Sequence, residues 1–529
     1  MRKKTIIPIL YLVLVCAVCL FLLRYPIGTA INRHYEPDAA DLSLSVEDRL
    51  SDFYSVYDTV VSSVPALDEF ARRYGVDFKA KKEYYAAMVR DAETDYEFYL
   101  TMTAIMQDIP SFHTDVVMPE DIHTLHCYGS ARLMADREVL AKNKYWENVI
   151  TEATQSSQFD FLAFRYVDGA YMLDTGNISP LPGAAEADAC VVFRINGQAP
   201  EEYLTQGITL YNYHYDTEHD MPYKGLLVFN YQSGVPVSIE LEDEMGHHVV
   251  VEAYYSLRAE DCFAHRYASV QEEEALAYEG DSFSYVWIPD MLNAHGNDVL
   301  SLLNSIHNDC VILDLRGNYG GNVDFAGKYI YPALFSNELN TSTQWHMPSS
   351  ETNAMVYRNI FDRLFLDIQR DDEYFSDAGV KGYCGTAFNT YKGELAEDKQ
   401  VIILIDTFTG SAADWFVSDM KAANKAVIIG ENSGGEGLMR TFLATHMPHS
   451  GLVYTYMPSE AKNPDGTSNA VYGTAPDIYA QLSREDYLGT STTEDLSFAC
   501  PPQFQYDTIW KTAAAYAENA ADVNTMIGQ

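Results

Sequence analysis

The sequence is short of positive charge. It has 35 Lys and Arg residues against 76 Asp and Glu residues, which gives a formal net charge of −41 at pH 7. A chain this acidic would be repelled by a phosphate backbone, so nucleic-acid binding is excluded as a class of function. The acidity favours solubility but does not indicate a particular fold.

Clustered metal ligands are also missing from the sequence. Of the 8 cysteines, Cys16 and Cys19 lie in an N-terminal apolar stretch, and the other six are scattered without the spacing of a zinc site. His446 and His449 have no evident third ligand nearby. We therefore expect no metal and no other cofactor. Disulfides and buried free thiols both stay open for the scattered cysteines, which are Cys127, Cys190, Cys262, Cys310, Cys384 and Cys500.

The N-terminus has the pattern of a membrane anchor. A basic cluster at residues 2–4 precedes an apolar run over 6–23 that only Pro8 interrupts. This run is just long enough to cross a bilayer, and the basic cluster should stay in the cytoplasm. The sequence predicts a single-pass protein of the cell membrane whose remaining chain lies outside the cytoplasm. The alternative is secretion after cleavage near Gly28-Thr-Ala30.

A chain of 529 residues is too long for a single hydrophobic core. The patterns predict a multidomain α/β protein with an anchor and linker over 1–41. A helical region is expected over 42–156, a β-rich module over 157–262, an α/β core over 263–490 and a helical tail over 491–529. Within them we expect helical segments over 84–106 and 324–334, a hairpin that turns at Asp168-Gly169, and a β pair over 442–457.

Within the α/β core, buried-type strands alternate with helices. Apolar runs at 310–315, 401–405 and 426–430 are separated by helical patterns, which indicates a mostly parallel sheet covered on both faces. Residues 336–397 lack such a pattern, and we expect them to be a loop-rich excursion near a cleft.

Two of these strand ends carry unusual residues. Ser411 stands where the helical pattern after strand 401–405 begins, so it is either a helix N-cap or a nucleophile beside free backbone N–H groups. The run Asp314-Leu-Arg-Gly-Asn-Tyr-Gly-Gly321 follows another strand, and its glycines suit a close approach of backbone to a ligand. Asp314 and Arg316 are expected to pair and to hold this turn.

Four runs in a consistent order carry a family resemblance. They are Asp314-Leu-Arg-Gly-Asn-Tyr-Gly-Gly321, Thr409-Gly-Ser-Ala-Ala-Asp414, Lys425-Ala-Val-Ile-Ile-Gly-Glu431 and Tyr472-Gly-Thr-Ala-Pro-Asp477. Together they resemble the serine peptidases that include carboxy-terminal (tail-specific) processing peptidases and tricorn-core peptidases. The resemblance implies a crotonase-like α/β peptidase core, a PDZ-like peptide-binding module over 157–262, and a peptide or protein substrate.

The resemblance also implies roles for single residues. Ser411 corresponds to the nucleophile, and the N–H of Ala412 with that of Gly320 or Gly321 would form the oxyanion hole. Processing peptidases use a lysine base downstream of the serine, but this chain has Glu436 at that position. The lysine mechanism is therefore absent. Lys421 and Lys425 match no such position and are expected on the surface.

The tricorn-like branch takes its base from a histidine upstream of the serine. His113, in Ser111-Phe-His-Thr114, fits that position, although the flanking residues differ from the common form. Where relatives carry an orienting glutamate, this chain has Ala470. The remaining candidates for the orienting carboxylate are, in order, Glu436, Asp465 and Glu460.

The sequence therefore predicts a membrane-anchored serine peptidase that hydrolyses peptide bonds through an acyl-enzyme on Ser411, with His113 as the general base. The missing lysine and Ala470 keep open a second hypothesis, an inactive relative that binds peptides at the cell surface. An esterase of the α/β-hydrolase type is disfavoured, because no Gly-x-Ser-x-Gly turn surrounds Ser411.

Overall fold

The computed structural model places several separate stretches of the chain. No helix within these stretches is both long and apolar enough to cross a membrane, and the predicted anchor over 6–23 lies outside them. Cys127, Cys190, Cys310 and Cys384 form no disulfide within the described stretches, and Cys190 and Cys310 are buried. The structure describes residues 32, 35–125, 127, 129–155, 161–173, 190–207, 213–230, 236–243, 245–254, 274–353, 369–371, 382–437, 442–490 and 506–527.

The N-terminal region is helical, as predicted. Val46–Ser63 and Asp95–Gln107 each begin with a capping box, in which Ser45 and Thr94 accept the N–H of the third helical residue. The helical pattern over 84–106 is divided into two helices, because Thr94 starts a new one. The described helices of this region are Val46–Ser63, Leu67–Tyr74, Lys82–Asp91, Asp95–Gln107, the 3₁₀ turn Pro119–His123, Ser130–Ala135 and Arg137–Gln155.

The β-rich module is a six-stranded antiparallel sheet with one short helix, Pro200–Gln206. Its first hairpin turns at Asp168-Gly169, as predicted, and both residues have positive φ. A separate two-stranded ribbon, Tyr213–Asp216 with Met221–Lys224, faces the core. The sheet strands, in spatial order, are Leu226–Asn230, Phe161–Val167, Ala170–Leu173, Val191–Ile195, Pro236–Glu242 and His248–Tyr254.

The α/β core contains the predicted mostly parallel sheet. Its central strands are fully buried and apolar on both faces, as a sheet covered on both sides requires. Helices Gly296–Ser305 and Ala412–Ala422 cover one face, and the C-terminal helix Thr508–Ile527 covers the other. In order, the strands are Leu276–Glu279, Ser284–Trp287, Cys310–Asp314, Gln400–Ile405, Ala426–Gly430 and Ile478–Tyr479, and only the first pair is antiparallel.

The expectation of a loop-rich excursion over 336–397 was wrong. Leu339–Pro348 and Gly382–Tyr391 form a ten-residue antiparallel pair, which Gln369–Asp371 and Glu460–Ala461 extend. The first half of Leu339–Pro348 alternates between exposed and partly exposed side chains, so it lacks the apolar alternation that marks a half-buried strand. The helix expected over 324–334 is also irregular: a π turn, Ala326–Ile330, runs into the short helix Tyr331–Leu334.

One small sheet joins the N-terminal region to the core. The strand Asp115–Val116 pairs with Val453–Tyr456, which in turn pairs with Leu443–His446. The predicted β pair at 442–457 is confirmed, but its third strand was not predicted. This pairing matters for function, because Asp115 lies only two residues after His113.

Candidate active site

Ser411 occupies a strained turn between a buried strand and a helix. Gln400–Ile405 ends, five residues of a turn follow, and the helix Ala412–Ala422 begins directly after the serine. The backbone of Ser411 has φ 52°, a conformation that costs a non-glycine residue about 1–3 kcal/mol. Its side chain makes no capping hydrogen bond with the helix. The hydroxyl is therefore displayed rather than used as a cap.

His113 faces this hydroxyl. Its Nε2 lies 3.2 Å from Ser411 Oγ, although 298 positions separate the two residues in sequence. The imidazole stacks on the Phe442 ring, with a centroid distance of 4.5 Å and an interplanar angle of 10°. Burial lowers the pKa of His113 from 6.5 to about 4. The ring is thus neutral at pH 7, which is the form that accepts a proton.

The chain around His113 is held by polar contacts at both sides. Thr114, which is fully buried, accepts a hydrogen bond from Ser111 Oγ at 2.9 Å and from the Met457 N–H at 3.2 Å. The strand Asp115–Val116 then pairs with Val453–Tyr456. These contacts fix the direction of the main chain on which the imidazole is mounted.

Glu436 also lies at this site, but not where an orienting carboxylate was expected. Its Oε2 accepts the main-chain N–H of His113 at 3.0 Å, and no contact with the imidazole is found among the described residues. The side chain is almost fully buried, and this burial raises the pKa of Glu436 from 4.5 to about 7. Glu436 thus anchors the loop that carries the histidine rather than its ring.

The other candidates from the sequence have partners elsewhere. Asp465 accepts hydrogen bonds from Thr467 within its own turn, and Glu460 accepts one from Ser468. Lys421 pairs with Asp477 at 2.8 Å, and Lys425 pairs with Asp398 at 2.6 Å. The two lysines are partly exposed, as expected, and each is occupied in an ion pair.

The glycine turn approaches the serine closely. A Cβ at Gly320 would lie 2.6 Å from the Ala412 nitrogen and 2.8 Å from the Ser411 Cβ, so only glycine fits there. The N–H of Gly320 donates to Asn318 Oδ1 at 2.8 Å. The N–H groups of Ala412 and Gly321 have no acceptor within the part of the chain that the structure describes. Of the two expected glycine donors, Gly321 is therefore the one left free.

Two buried side chains that the sequence did not single out brace this arrangement. Asp406 accepts the N–H groups of Gly317 and Thr409 at 3.0 Å each, which ties the glycine turn to the serine turn. Asn318 donates to the Ile288 carbonyl at 2.9 Å while it accepts the Gly320 N–H. Asp406 begins a run of turn residues after a strand, and this was the available signal. Asn318 gave no such signal.

Asp314 and Arg316 form the expected scaffold. Arg316 donates to Asp314 at 2.6 Å and also, through both terminal nitrogens, to Asp507 at 2.7–2.8 Å. The second partner lies just before the C-terminal helix, so this helix is tied to the start of the glycine turn. Two carboxylates hold the pKa of Arg316 well above its usual value although burial opposes this.

The site thus combines groups that acyl transfer uses: a displayed hydroxyl, a neutral imidazole in contact with it, and free N–H groups beside it. Comparison with known families agrees, because residues 282–480 match the model of Peptidase family S41. The chain contains a peptidase family S41 domain. It is thus a serine-type peptidase, and its substrates are peptides or proteins. No group of three or more potential metal ligands is found within the described stretches.

The fold of this chain is also found in a solved structure. The crystal structure of mature CPAF has a TM-score of 0.51 at 12% identity, and the match covers 85% of this chain and 96% of that one. The photosystem II D1 C-terminal processing protease has a TM-score of 0.34 at 11% identity, with 85% and 98% covered. At such identities the likeness to mature CPAF shows the fold alone. No curated protein sequence is significantly similar to the chain.

Proposed function

We propose that this S41 protein hydrolyses peptide bonds through an acyl-enzyme on Ser411, with His113 as general base. The contact of 3.2 Å between Ser411 Oγ and His113 Nε2 carries the proposal. Two residues so far apart in sequence meet at a helix N-terminus, where the serine is strained and makes no cap. A structural role for the pair would not require this strain.

The chemistry follows from the two atoms in contact. His113 Nε2 takes the hydroxyl proton while Ser411 Oγ attacks the carbonyl carbon of the peptide bond. The resulting imidazolium then gives this proton to the leaving amine, and the C–N bond breaks to leave an ester on Ser411. Water attacks the ester carbon while His113 takes a proton from it. His113 then gives this proton to Ser411 Oγ as the ester C–O bond breaks, which regenerates the serine and releases the new C-terminal carboxyl group. No cofactor is needed for any step.

The N–H groups of Ala412 and Gly321 are the proposed oxyanion donors. Both are without an acceptor in the described part of the chain, whereas Gly320 donates to Asn318. One such donor contributes roughly 3 kcal/mol to lowering the barrier. Gly320 contributes by lacking a Cβ, because this lets the turn lie against the Ala412 nitrogen.

Glu436 is proposed as a positioning residue that acts on His113 through the main chain. Its hydrogen bond of 3.0 Å to the His113 N–H fixes the loop, and the stack on Phe442 fixes the ring plane. In this view Ser411 and His113 work as a dyad. Among the described residues no carboxylate is hydrogen-bonded to the ring, and in this proposal the two restraints orient it instead.

We further propose that the peptidase works outside the cytoplasm and is anchored by residues 6–23. The basic cluster at 2–4 and the length of the apolar run support this placement.

The proposal also includes the division of the chain into regions that end at residues 41, 156, 262 and 490. The β-rich module over 157–262 would capture substrate in an extended form, and its Tyr213–Asp216 ribbon reaches the core, where Tyr223 meets Thr407 at 3.2 Å.

Covalent labelling tests the nucleophile. A fluorophosphonate should label the full-length protein, and Ser411→Ala should abolish the label. Ser62→Ala, which changes an exposed serine, should leave it intact. Absence of labelling with peptide binding retained would instead support the peptide-binding relative without activity.

A further inference from the structure

A small cavity lies where the three regions of the molecule meet. The N-terminal helices contribute Arg73 and Tyr74, the β module contributes 213–215, and the core contributes 432–434. Its volume is about 30 Å³. This is room for roughly two water molecules, which is also the size of a carboxylate group.

The cavity lies next to the proposed catalytic pair. Phe112 lines it and directly precedes His113 in the chain. Gly434 also lines it, and the following residue, Gly435, accepts the Ser411 N–H at 3.0 Å. The cavity wall and the proposed catalytic pair therefore meet at neighbouring residues of the chain, at Phe112–His113 and at Gly434–Gly435.

Arg73 stands out among the lining residues. Its guanidinium carbon lies 3.7 Å from the centroid of the Tyr215 ring and 4.3 Å from that of Tyr472. Its Nε is buried and has no hydrogen-bond acceptor among the described residues. The two rings hold the guanidinium plane in place, and the Tyr74 hydroxyl accepts a hydrogen bond from the guanidinium, but no carboxylate of the described residues pairs with it.

Two arginines of the described stretches whose side chains are largely buried, Arg49 and Arg316, are paired with carboxylates. Arg49 pairs with Asp95 at 2.7 Å, and Arg316 pairs with Asp314 at 2.6 Å. Arg73 forms no ion pair within the described part of the chain, although acidic residues outnumber basic ones by 76 to 35. An arginine that is held in place by aromatic rings and has no carboxylate partner within the described chain is available to bind a carboxylate of a ligand.

We propose that this cavity is a substrate subsite in which Arg73 binds a carboxylate of the peptide. The proposal rests on the peptidase function above and adds a preference for acidic substrates to it. The carboxylate is either an Asp or Glu side chain or the C-terminus of the peptide, since the guanidinium fork recognises both in the same way. The tyrosines keep the fork pre-organised, which limits the entropy lost on binding.

Matched peptides test the preference. A mixture of acetylated decapeptides, with each position in turn carrying Glu or Gln, is cleaved by the full-length protein, and kcat/KM is obtained for each product by mass spectrometry. A second set compares free and amidated C-termini. The Glu and Gln peptides test whether the subsite binds a side-chain carboxylate. The free and amidated peptides test whether it binds the C-terminal carboxylate.

In one of these sets the wild-type protein should prefer the charged peptide about tenfold to hundredfold, which is the usual range for a hydrogen-bonded ion pair. Arg73→Met should abolish this preference and leave the uncharged peptides unaffected. Arg73→Lys should retain part of it. Arg72→Met is the matched control, because Arg72 is exposed, and it should behave as wild type.

Equal cleavage of charged and uncharged peptides by the wild-type protein would overturn the proposal. An equal loss of kcat/KM for charged and uncharged peptides in Arg73→Met would also overturn it. Binding of the same peptides to Ser411→Ala, measured by calorimetry, separates the subsite from the chemistry. If no peptide is cleaved but the Arg73-dependent preference persists in binding, the subsite stands and the peptidase mechanism fails.

Discussion

The two members of the proposed catalytic pair come from segments that are built in different ways. Ser411 is placed by neighbours in sequence: the strand Gln400–Ile405, the turn begun by Asp406 and the helix Ala412–Ala422. His113 is placed by residues far away in sequence. Glu436 holds its main chain from 323 positions away, and Phe442 stacks on its ring. The serine segment is built mainly from elements adjacent in the chain, with added contacts to the glycine turn, whereas the histidine segment depends chiefly on tertiary contacts.

Because of this difference, substitutions in the two segments should affect catalysis in different ways. A change at the serine segment alters the turn and the adjacent N–H donors, whereas a change around the histidine alters the environment and pKa of the base. The first kind should therefore lower the rate at all pH values, and the second should shift its dependence on pH.

The largest effect is expected when either member is removed. Ser411→Ala and His113→Ala should each lower kcat by roughly 10⁴–10⁶-fold, and the double variant should be no worse, because the two residues act as one unit. Cleavage of a fluorogenic peptide measures this. His123→Ala, at an exposed histidine of the same region, is the control. Substantial activity in His113→Ala would show that another group is the base.

Gly320→Ala should disturb the serine segment and leave the histidine segment unchanged. The new Cβ would meet the Ala412 nitrogen at 2.6 Å and the Gly410 oxygen at 2.7 Å, which would displace the glycine turn. We expect kcat to fall roughly 10²–10³-fold, as for loss of an oxyanion donor. Gly317→Ala is the matched control: φ is also positive, at 74°, but nothing lies within 4 Å of its Cβ. It should cost only about 1 kcal/mol of stability. Equal losses of kcat in both would contradict the close approach at Gly320.

Glu436→Gln tests the anchor of the histidine loop through stability. The amide oxygen can still accept the His113 N–H, but the charge is lost. Because the pKa of Glu436 is raised from 4.5 to about 7 in the folded protein, its contribution to stability is complete below pH 4.5 and is lost as pH rises through 7. Urea unfolding should therefore find the variant more stable than wild type by about 3 kcal/mol at pH 8, and equal to it at pH 4.5.

The low pKa of His113 acts in the opposite sense, since its contribution is lost as pH falls through about 4. It is common to both proteins and cancels in the difference between them. A difference in stability that does not change between pH 4.5 and 8 would show that Glu436 keeps an ordinary pKa.

The same contrast explains what could be predicted from the sequence. The strands and helix around Ser411 follow from apolar runs and turn residues that are adjacent in the chain, so they were predicted closely. His113 was found only through a family resemblance, because no local pattern marks a histidine whose partner is 298 positions away. The main-chain contact of Glu436 and the stack on Phe442 depend on tertiary packing and left no signal.

Phe442→Leu should give the smallest and most specific change. Leucine keeps the site apolar but removes the stacked ring, so water reaches the imidazole and the pKa of His113 rises from about 4 toward 6.5. A rise of about one unit would lower kcat/KM about fivefold at pH 4 and leave it unchanged at pH 8, since only neutral imidazole acts as the base. Phe442→Tyr keeps the ring and should follow the wild-type profile. Histidine NMR of the Ser411→Ala protein, with and without Phe442→Leu, gives the pKa directly. If kcat/KM falls at the same acidic pH in Phe442→Leu and in the wild type, the Phe442 ring does not affect the pKa of His113. The position of the base would then depend on its main-chain anchor alone.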